Sequence, residues 1–575
     1  MSEHWLVEGS IDPRWPINTR GNIGEVFPEV LTQLSYYLAV RPAEAGWRQA
    51  FEKMGIYNKN DFDGDEPVII GCYGGYGYLN ISYLRIVGVR APGSSPDAID
   101  VSLFGEANTP PYEARKGDKS LLNSVKTLRY VLKALSQKGE PEELEIARRL
   151  VADWKARQPS LDAPDQELLD YLHAYGPVFQ QAFMTHMVTS FTVSIVTGVL
   201  ADGATAAGRP ELLTDLTAAV GDVASAAYSV KLYEVSKLAV SIPEVAAAFD
   251  EGVAGLGERL EKIPEAAEFN AAFGTFIEVY GHRGPNDWEI SSRTWENTPE
   301  LAYSAIDVMR KSSTDLSPKV EDAEAKRQAA ADLIRPHLKL LDKGNFNKAL
   351  EAIKVWSRGR EGTRDLNIQL HLPTRQVFFE LARRAAERGG TTELRDVALL
   401  HPTDELPKYL LDPATFADVL AERAALRDRF AAIDPLFFIT SQDEVLGIDE
   451  LEARSKAAGA TAEAEVGPQT LTGVSGSGGV ARGRARVVLD PSDPAGMEPG
   501  DVLIAPLTDP SWTPLFLPAA AVVVNVGALM SHAVIVSREL GIPCVVSVEG
   551  ATTKIPDGAM VEVDGTTGTV KVLDE

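Results

Sequence analysis

The chain has 575 residues, 45% of them hydrophobic, and its 56 Lys and Arg stand against 82 Asp and Glu for a formal net charge of −26. That length suits about three or four domains with real cores, and it excludes both a small cross-linked scaffold and a wholly disordered chain. The acidic field repels a polyanion, so nonspecific nucleic-acid binding is excluded, although a local phosphate site is not.

Two cysteines, Cys72 and Cys544, are too few for a disulfide framework or a four-cysteine metal site. The opening residues lack a basic and then apolar leader, and apolar runs such as Phe516 to Val526 fall short of the roughly 18 residues that cross a membrane. The expectation is a cytoplasmic protein with no membrane partner.

Residues 1 to 130 mix turn signals with strand-like runs. PVIIGCYGGYGYLNISYLRIVGV, residues 67–89, reads as strands interrupted at Gly71, Gly74, Gly75 and Gly77. It lacks the lysine and hydroxyl spacing of a phosphate loop, so it predicts a tight turn or a small aromatic surface near a ligand. From about 135 to 450 long helical periodicities dominate. Pro164 marks a helix start and Pro243 a first turn, whereas Gly176 and Pro177 are expected to break or kink the run that follows. Residues 282–299 carry Trp288 and Trp295 among glycine and prolines and read as a long loop facing something. Residues 451–479 lose their large apolar groups and read as a linker, with the flexible hinge at 451–470. After it, short branched strands alternate with glycines and one clear helix. The expected fold class is multidomain α+β: a large, mostly helical substrate-binding body with a mixed α/β N-terminal part over 1–450, a hinge, and a C-terminal α/β domain over 471–575.

In that last domain a strand at 521–526 runs into Gly527, Ser531 can cap the next helix, and Gly541 and Pro543 stop it. His532 therefore sits in the first helical turn. Free N–H groups there favour an anion, and the same dipole lowers the imidazole pKa and keeps it a neutral nucleophile. A capping or surface histidine would satisfy the same spacing.

GALMSHAVIVSRELGIPCVV resembles the phosphohistidine signature of the swivelling domain of PEP-utilising enzymes, a superfamily that includes PEP synthase, pyruvate phosphate dikinase, rifampicin phosphotransferase and phenylphosphate synthase. The phosphorylated histidine of that signature falls on His532. LTGVSGSGGVARGRARVV is similar to the opening hairpin of that domain, and TDPSWTPLF, with Thr508, Asp509, Trp512 and Pro514, to the segment bordering its phosphohistidine. GNIGEVFPEVLT, YLNISYLR, YGHRGPNDWEISSRTWENTPE, SRGREGTRDLNIQL, DVALL and DEL resemble the substrate domain of rifampicin phosphotransferase and its relatives. The family order places an ATP-grasp domain first, and here substrate-domain motifs begin near residue 20; a PEP/pyruvate barrel would follow the histidine domain. The resemblance thus implies a component of an ATP-dependent dikinase in which a separate ATP-grasp subunit cleaves ATP to AMP and phosphate with Mg2+ or Mn2+, and His532 carries a phosphoryl group to an acceptor.

For the acceptor side, His282, Arg283 and Asp287 form the best local constellation: an arginine fork matches phosphate oxygens, and a histidine or carboxylate can take a hydroxyl proton. A structural Arg–carboxylate pair would also account for them. Arg358, Arg360 and Glu361 form a second group, otherwise a solvated helix face. His186 is equally a core or a pocket-lining residue; beside it Phe183, Met184, Met187 and Phe191, joined by Tyr73, Tyr76 and Tyr78, predict a pocket for a flat apolar ligand. Thr508, Trp512 and Ser531 complete the candidates. His4, His173, His337, His371 and His401 show no metal-ligand spacing, and no metal site is expected on this chain. The expected acceptor is a small hydroxyaromatic compound, as for the phenylphosphate synthase type; a rifampicin-type antibiotic phosphotransferase and a non-catalytic phosphocarrier are the alternatives.

Overall fold

A tight glycine turn starts the architecture. Strands β2 (Ile70–Tyr73) and β3 (Tyr76–Asn80) pair through Gly74 and Gly75, both at positive φ, the geometry of a two-residue hairpin that L side chains avoid. With β1 (Asn18–Thr19) and β4 (Phe438–Ile439) they form an antiparallel sheet in the order β2-β3-β1-β4, so the end of the body closes on its beginning. The computed structural model describes residues 10–573 except 63, 65, 92–93, 105–108, 218–223, 312–319, 434, 463–468, 492–495, 509–511 and 528–530. His4 and Asp509 lie outside the described residues.

Helix α1 (Arg41–Lys53) precedes this hairpin and α2 (Ile81–Arg90) follows it directly. The sequence reading continued the strands through 89; the side chain of Asn80 instead accepts from the Tyr83 N–H at 2.9 Å and caps a helix. Helix α3 (Tyr175–Ala206) then forms the central rod. The run that starts after Pro164 breaks beside Gly176 and Pro177 as expected: one helix covers Asp165–His173, and α3 begins anew at Tyr175 with the proline in its first turn, where no intrahelical N–H bond is lost. Pro164 and Pro243 mark helix starts as expected. By length and composition α3 belongs to a segment long and apolar enough to cross a membrane, but 56% of its apolar window is buried in this fold. It packs between α1 and the later helix α7, so its apolarity is that of a core helix.

Helices α4 (Ala224–Ser241), α5 (Ala267–Tyr280) and α6 (Pro299–Lys311) enclose a second core around Tyr228, Phe269, Phe276 and Trp295. Helix α7 (Leu340–Glu387) has 48 residues, a length of about 72 Å at helical rise. The loop expected at 282–299 is found at 281–298 between α5 and α6, irregular yet largely buried. Its carbonyls are met from α7: Arg375 donates to His282 O, Asp287 O and Glu289 O. The Glu289 carboxylate in turn accepts from the hydroxyls of Thr32, Ser35 and Ser291.

Residues 451–462 are not the linker that composition suggested. They belong to α8 (Ile448–Ala462), whose Ala, Glu and Lys are good helix formers, and Leu451 is buried; of the expected hinge, 463–468 lie outside the described residues. Beyond them, β5 (Thr470–Thr472), β6 (Val474–Ser477), β7 (Val480–Val487), β8 (Val502–Ala505), β9 (Ala521–Val524), β10 (Cys544–Val546), β11 (Met560–Asp564) and β12 (Thr569–Val572) form an eight-stranded mixed sheet. Its order is β5-β12-β11-β7-β8-β9-β10-β6, with β7 to β10 parallel. Helices α9 (Thr513–Phe516) and α10 (His532–Leu540) form the crossovers β8-α9-β9 and β9-α10-β10. This domain is docked on the body: Leu517 and Leu540 join the α4–α6 core, and Val308 of α6 joins the domain's own core. A large, mostly helical N-terminal region joined to a C-terminal mixed β-sheet domain is the expected fold class.

Two glycines test the packing of the body. A Cβ on Gly46 of α1 would lie 2.4 Å from the Gln180 carbonyl oxygen of α3, whereas one on Gly198 of α3 would meet nothing within 4 Å. Gly46→Ala should cost about 1–3 kcal/mol because backbone must move, and Gly198→Ala should stabilise by up to about 1 kcal/mol. Denaturant unfolding of the two variants checks the opposite signs.

Candidate active site

His532 lies where a parallel sheet concentrates its functional groups, beyond the carboxyl ends of adjacent strands. Thr508 follows β8 and His532 follows β9, and the pairing of those strands sets the two side chains together: Thr508 Oγ1 is 3.1 Å from His532 Nδ1. Thr513, at the start of α9, lies 3.2 Å from Nε2. Ser531 is the N-cap, its hydroxyl accepting from the Val534 N–H, and Gly541 ends the helix at φ 69°. The Phe516 ring stands edge-on to the imidazole at 5.6 Å. The histidine is 5% exposed. Burial first, and then the positive charges of Arg364 and Arg283, push its pKa well below the ordinary value, so the docked imidazole is neutral.

Arg283 approaches from the body. It is 2% exposed and pairs with Asp287 at 2.8 Å, while Asp365 of α7 lies 3.6 Å from its Nε. Asp287 also accepts from the Gly284 N–H at 2.9 Å, closing the turn. Burial works against the charge on Arg283, but Asp287 and Asp365 outweigh it and raise the pKa. Asp365 also meets His282 Nε2 at 3.0 Å. Burial alone would raise the Asp365 pKa; the His282 hydrogen bond and the charges of His282 and Arg283 hold it well below the usual carboxylate range. His282, Arg283 and Asp287, chosen from sequence, are thus brought together, with Asp365 as the partner that sequence reasoning missed.

The second candidate group divides. Arg358 is exposed on the outer face of α7 and faces solvent. Arg360 pairs with Glu361 at 3.1 Å, and the charge of Glu361 reaches Arg283. One turn on, Arg364 is half-buried and has no carboxylate at ion-pair distance among the described residues, while its charge acts on both His532 and His186. The quoted segment SRGREGTRDLNIQL contained this residue, and continuing the helical spacing from Glu361 to Arg364 and Asp365 would have found both.

His186 is buried on α3, 3.3 Å from Thr363 Oγ1 of α7. Its ring, with those of Phe183 and Trp288, makes a cluster of centroids 6.1–6.2 Å apart. Along this seam the buried atoms Trp288 Nε1, Asn367 Oδ1 and His371 Nε2 have no hydrogen-bond partner among the described residues. Tyr73, Tyr76 and Tyr78 do not join it. They belong to a separate core with Phe430 and Ile439, where the Tyr76 and Tyr78 hydroxyls donate to the carbonyls of Phe430 and Leu436, so the expected shared pocket is not formed. Trp512 is buried in the core of the C-terminal domain. Among the described residues no group of three or more His, Cys, Asp or Glu side chains is arranged to hold a metal ion.

Burial lowers the pKa of His186, His371 and His532 well below that of an ordinary histidine. The unfolded chain takes up protons on all three below about pH 6.5, which the folded chain refuses, so stability is full above that pH and falls beneath it. At pH 5.5 the loss should be about 1.4 kcal/mol per histidine. A thermal melt series from pH 7.5 to 5.5 checks the fall, and His371→Gln should flatten part of it.

Two family models match the chain: the rifampicin phosphotransferase fourth domain over residues 179–361, and the PEP-utilising enzyme mobile domain over residues 497–568. An uncharacterized protein of Mycobacterium tuberculosis is 34% identical over 319 residues, covering 55% of this chain and 33% of that protein. A rifampicin phosphotransferase of a Streptomyces species is 28% identical over 375 residues, 64% of this chain and 42% of the other. An uncharacterized phosphotransferase of Bacillus subtilis is 25% identical over 325 residues, 55% and 38% respectively. The chain thus spans about a third to two-fifths of the length of these relatives. Its residues 179–361 are similar to the rifampicin phosphotransferase fourth domain and its residues 497–568 to the mobile domain of PEP-utilising enzymes.

Proposed function

We propose that this chain forms the acceptor and carrier half of an ATP-dependent phosphotransferase of the dikinase type, acting on the hydroxyl of a small hydroxyaromatic compound. The observation that carries the reading is the docking of a neutral, hydroxyl-bonded histidine within the field of buried Arg283 and half-buried Arg364. Arg364 also acts on His186, so the field of one cation reaches both the proposed carrier histidine and the ring cluster of Phe183, His186 and Trp288. Those rings suit a flat acceptor, and the unpartnered Trp288 Nε1 and Asn367 Oδ1 suit a polar substituent on it.

In the transfer step the acceptor oxygen bonds to phosphorus as the nitrogen–phosphorus bond of phospho-His532 breaks. The bonding pair returns to the imidazole, and the hydroxyl proton passes to His282, whose imidazolium Asp365 then stabilises. Arg283 and Arg364 neutralise charge on the equatorial oxygens. The donor half belongs to a separate ATP-grasp subunit, where ATP and water give AMP, inorganic phosphate and the phosphoryl group taken up by His532. Mg2+ or Mn2+ acts there with the nucleotide. A second reading, transfer to a rifampicin-type antibiotic, is favoured by the fourth-domain match.

With an ATP-grasp partner, ATP and Mg2+, intact-protein mass analysis should find one acid-labile phosphate on the wild type and none on His532→Ala. Normal labelling of that variant would move the carrier role elsewhere, and AMP release by this chain alone would contradict the separate donor. Asp365→Asn should label normally and discharge about 10²-fold more slowly, because the His282 base loses the carboxylate that stabilises its imidazolium. Among phenol, rifampicin and pyruvate, phenol should be the efficient acceptor; rifampicin in its place would establish the second reading, and pyruvate would contradict both.

A further inference from the structure

One side chain of the body reaches the carrier histidine through a chain of hydroxyls. Tyr228 of α4 is 1% exposed, and its hydroxyl lies 2.8 Å from Thr513 Oγ1 across the interface between body and C-terminal domain. The same Oγ1 lies 3.2 Å from His532 Nε2, the nitrogen opposite the one that meets Thr508. Over the Tyr228 ring stands the Arg283 guanidinium, 5.5 Å from its centroid, and the ring also packs against Trp295 at 5.7 Å. Tyr228 therefore touches both the group that steers the histidine and the cation that faces it.

A shuttle that arrives from elsewhere must be set to within about 0.5 Å and 10–20° for transfer. The apolar contacts of Leu517 and Leu540 hold the domain on the body, but hydrophobic contact is non-directional and cannot choose one orientation of an imidazole. A hydrogen bond can, because it weakens steeply with angle, and a buried hydroxyl deprived of its partner adds a desolvation penalty to every misaligned arrangement.

We propose that Tyr228 is a positioning residue and docking latch of the transfer reaction, acting through the Thr513 hydroxyl to hold His532 in register with Arg283. That hydroxyl meets Nε2 of the uncharged histidine, and a phosphoryl oxygen once that nitrogen is charged. The inference rests on the phosphotransfer reading and adds to it the contact that makes docking specific. Because the docked histidine is buried, phosphorylation of it by a reagent in solution requires the undocked state, whereas transfer to the acceptor requires the docked one. Loss of the latch must then move the two half-reactions in opposite directions, which general damage to the body does not do.

The full chain can be charged on His532 with potassium phosphoramidate and discharged into phenol, both followed by intact mass. Tyr228→Phe keeps the ring against Arg283 and removes only the hydroxyl. It should charge about three- to tenfold faster and discharge about tenfold more slowly than wild type. Thr513→Val should do the same, Thr513→Ser should restore both rates, and adding Tyr228→Phe to Thr513→Val should change nothing further. Wild-type discharge by Tyr228→Phe, slowing of both half-reactions together, or multiplied effects in the double variant would overturn the proposal. If the charged wild type discharges into none of phenol, rifampicin or pyruvate, the transfer reading fails, and the charging rates still decide whether Tyr228 latches the domain.

Discussion

A guanidinium removed from water needs counter-charge around it, and Arg283 draws that charge from two separate parts of the chain. Asp287, four residues on, supplies it locally and folds the 281–298 loop into a closed turn. Asp365 supplies it from α7 and ties that loop to the longest helix, while orienting His282 with the same carboxylate. Removing both would leave a buried charge uncompensated, a loss that costs about 3–5 kcal/mol. The loop can therefore be irregular and buried at once: Arg375, ten residues beyond Asp365 on α7, meets the backbone carbonyls that no helix or sheet satisfies. The length of α7 lets one rigid element supply the Asp365 carboxylate, Arg364, which has no carboxylate at ion-pair distance among the described residues, and the seam against α3.

On the other side of the interface, strand order creates the proposed carrier site. Parallel pairing of β8 with β9 sets Thr508 beside His532, the first residue of the helix that Ser531 caps. In the proposed shuttle the neutral imidazole is the nucleophile that takes up the phosphoryl group, and that group brings the negative charge that Arg283 and Arg364 would balance. The same burial that keeps the histidine neutral in the docked state also closes it to solution, so movement of the domain separates the two half-reactions of the proposed shuttle.

Much of this was legible from local signals. The glycine turn at Gly74 and Gly75, the proline-marked helix starts, the Ser531 cap and the Gly541 stop all follow from backbone chemistry within a few residues. Two misreadings have the same origin: branched residues after Asn80 looked like strand because the cap was overlooked, and small residues at 451–462 looked like linker although they favour helix. His282, Arg283 and Asp287 were accessible because they lie within one turn of chain. Asp365 lies 83 residues from His282, and Tyr228 lies 285 residues from Thr513, so neither pairing leaves a trace in spacing. The tyrosines of the hairpin misled for another reason: the Tyr76 and Tyr78 hydroxyls are anchored on the carbonyls of Phe430 and Leu436, so with Tyr73 they line a small cleft separate from the ring cluster of α3.

The central claim is that a phosphoryl group on His532 passes directly to a hydroxyl held by the body. Phosphorus NMR on a stoichiometric amount of chain, charged on His532 and mixed with phenol, follows that group without any donor enzyme present. The account predicts that the phosphohistidine resonance decays as an aryl phosphate resonance grows in equal measure. Decay into inorganic phosphate alone, at a rate that phenol does not change, would contradict it.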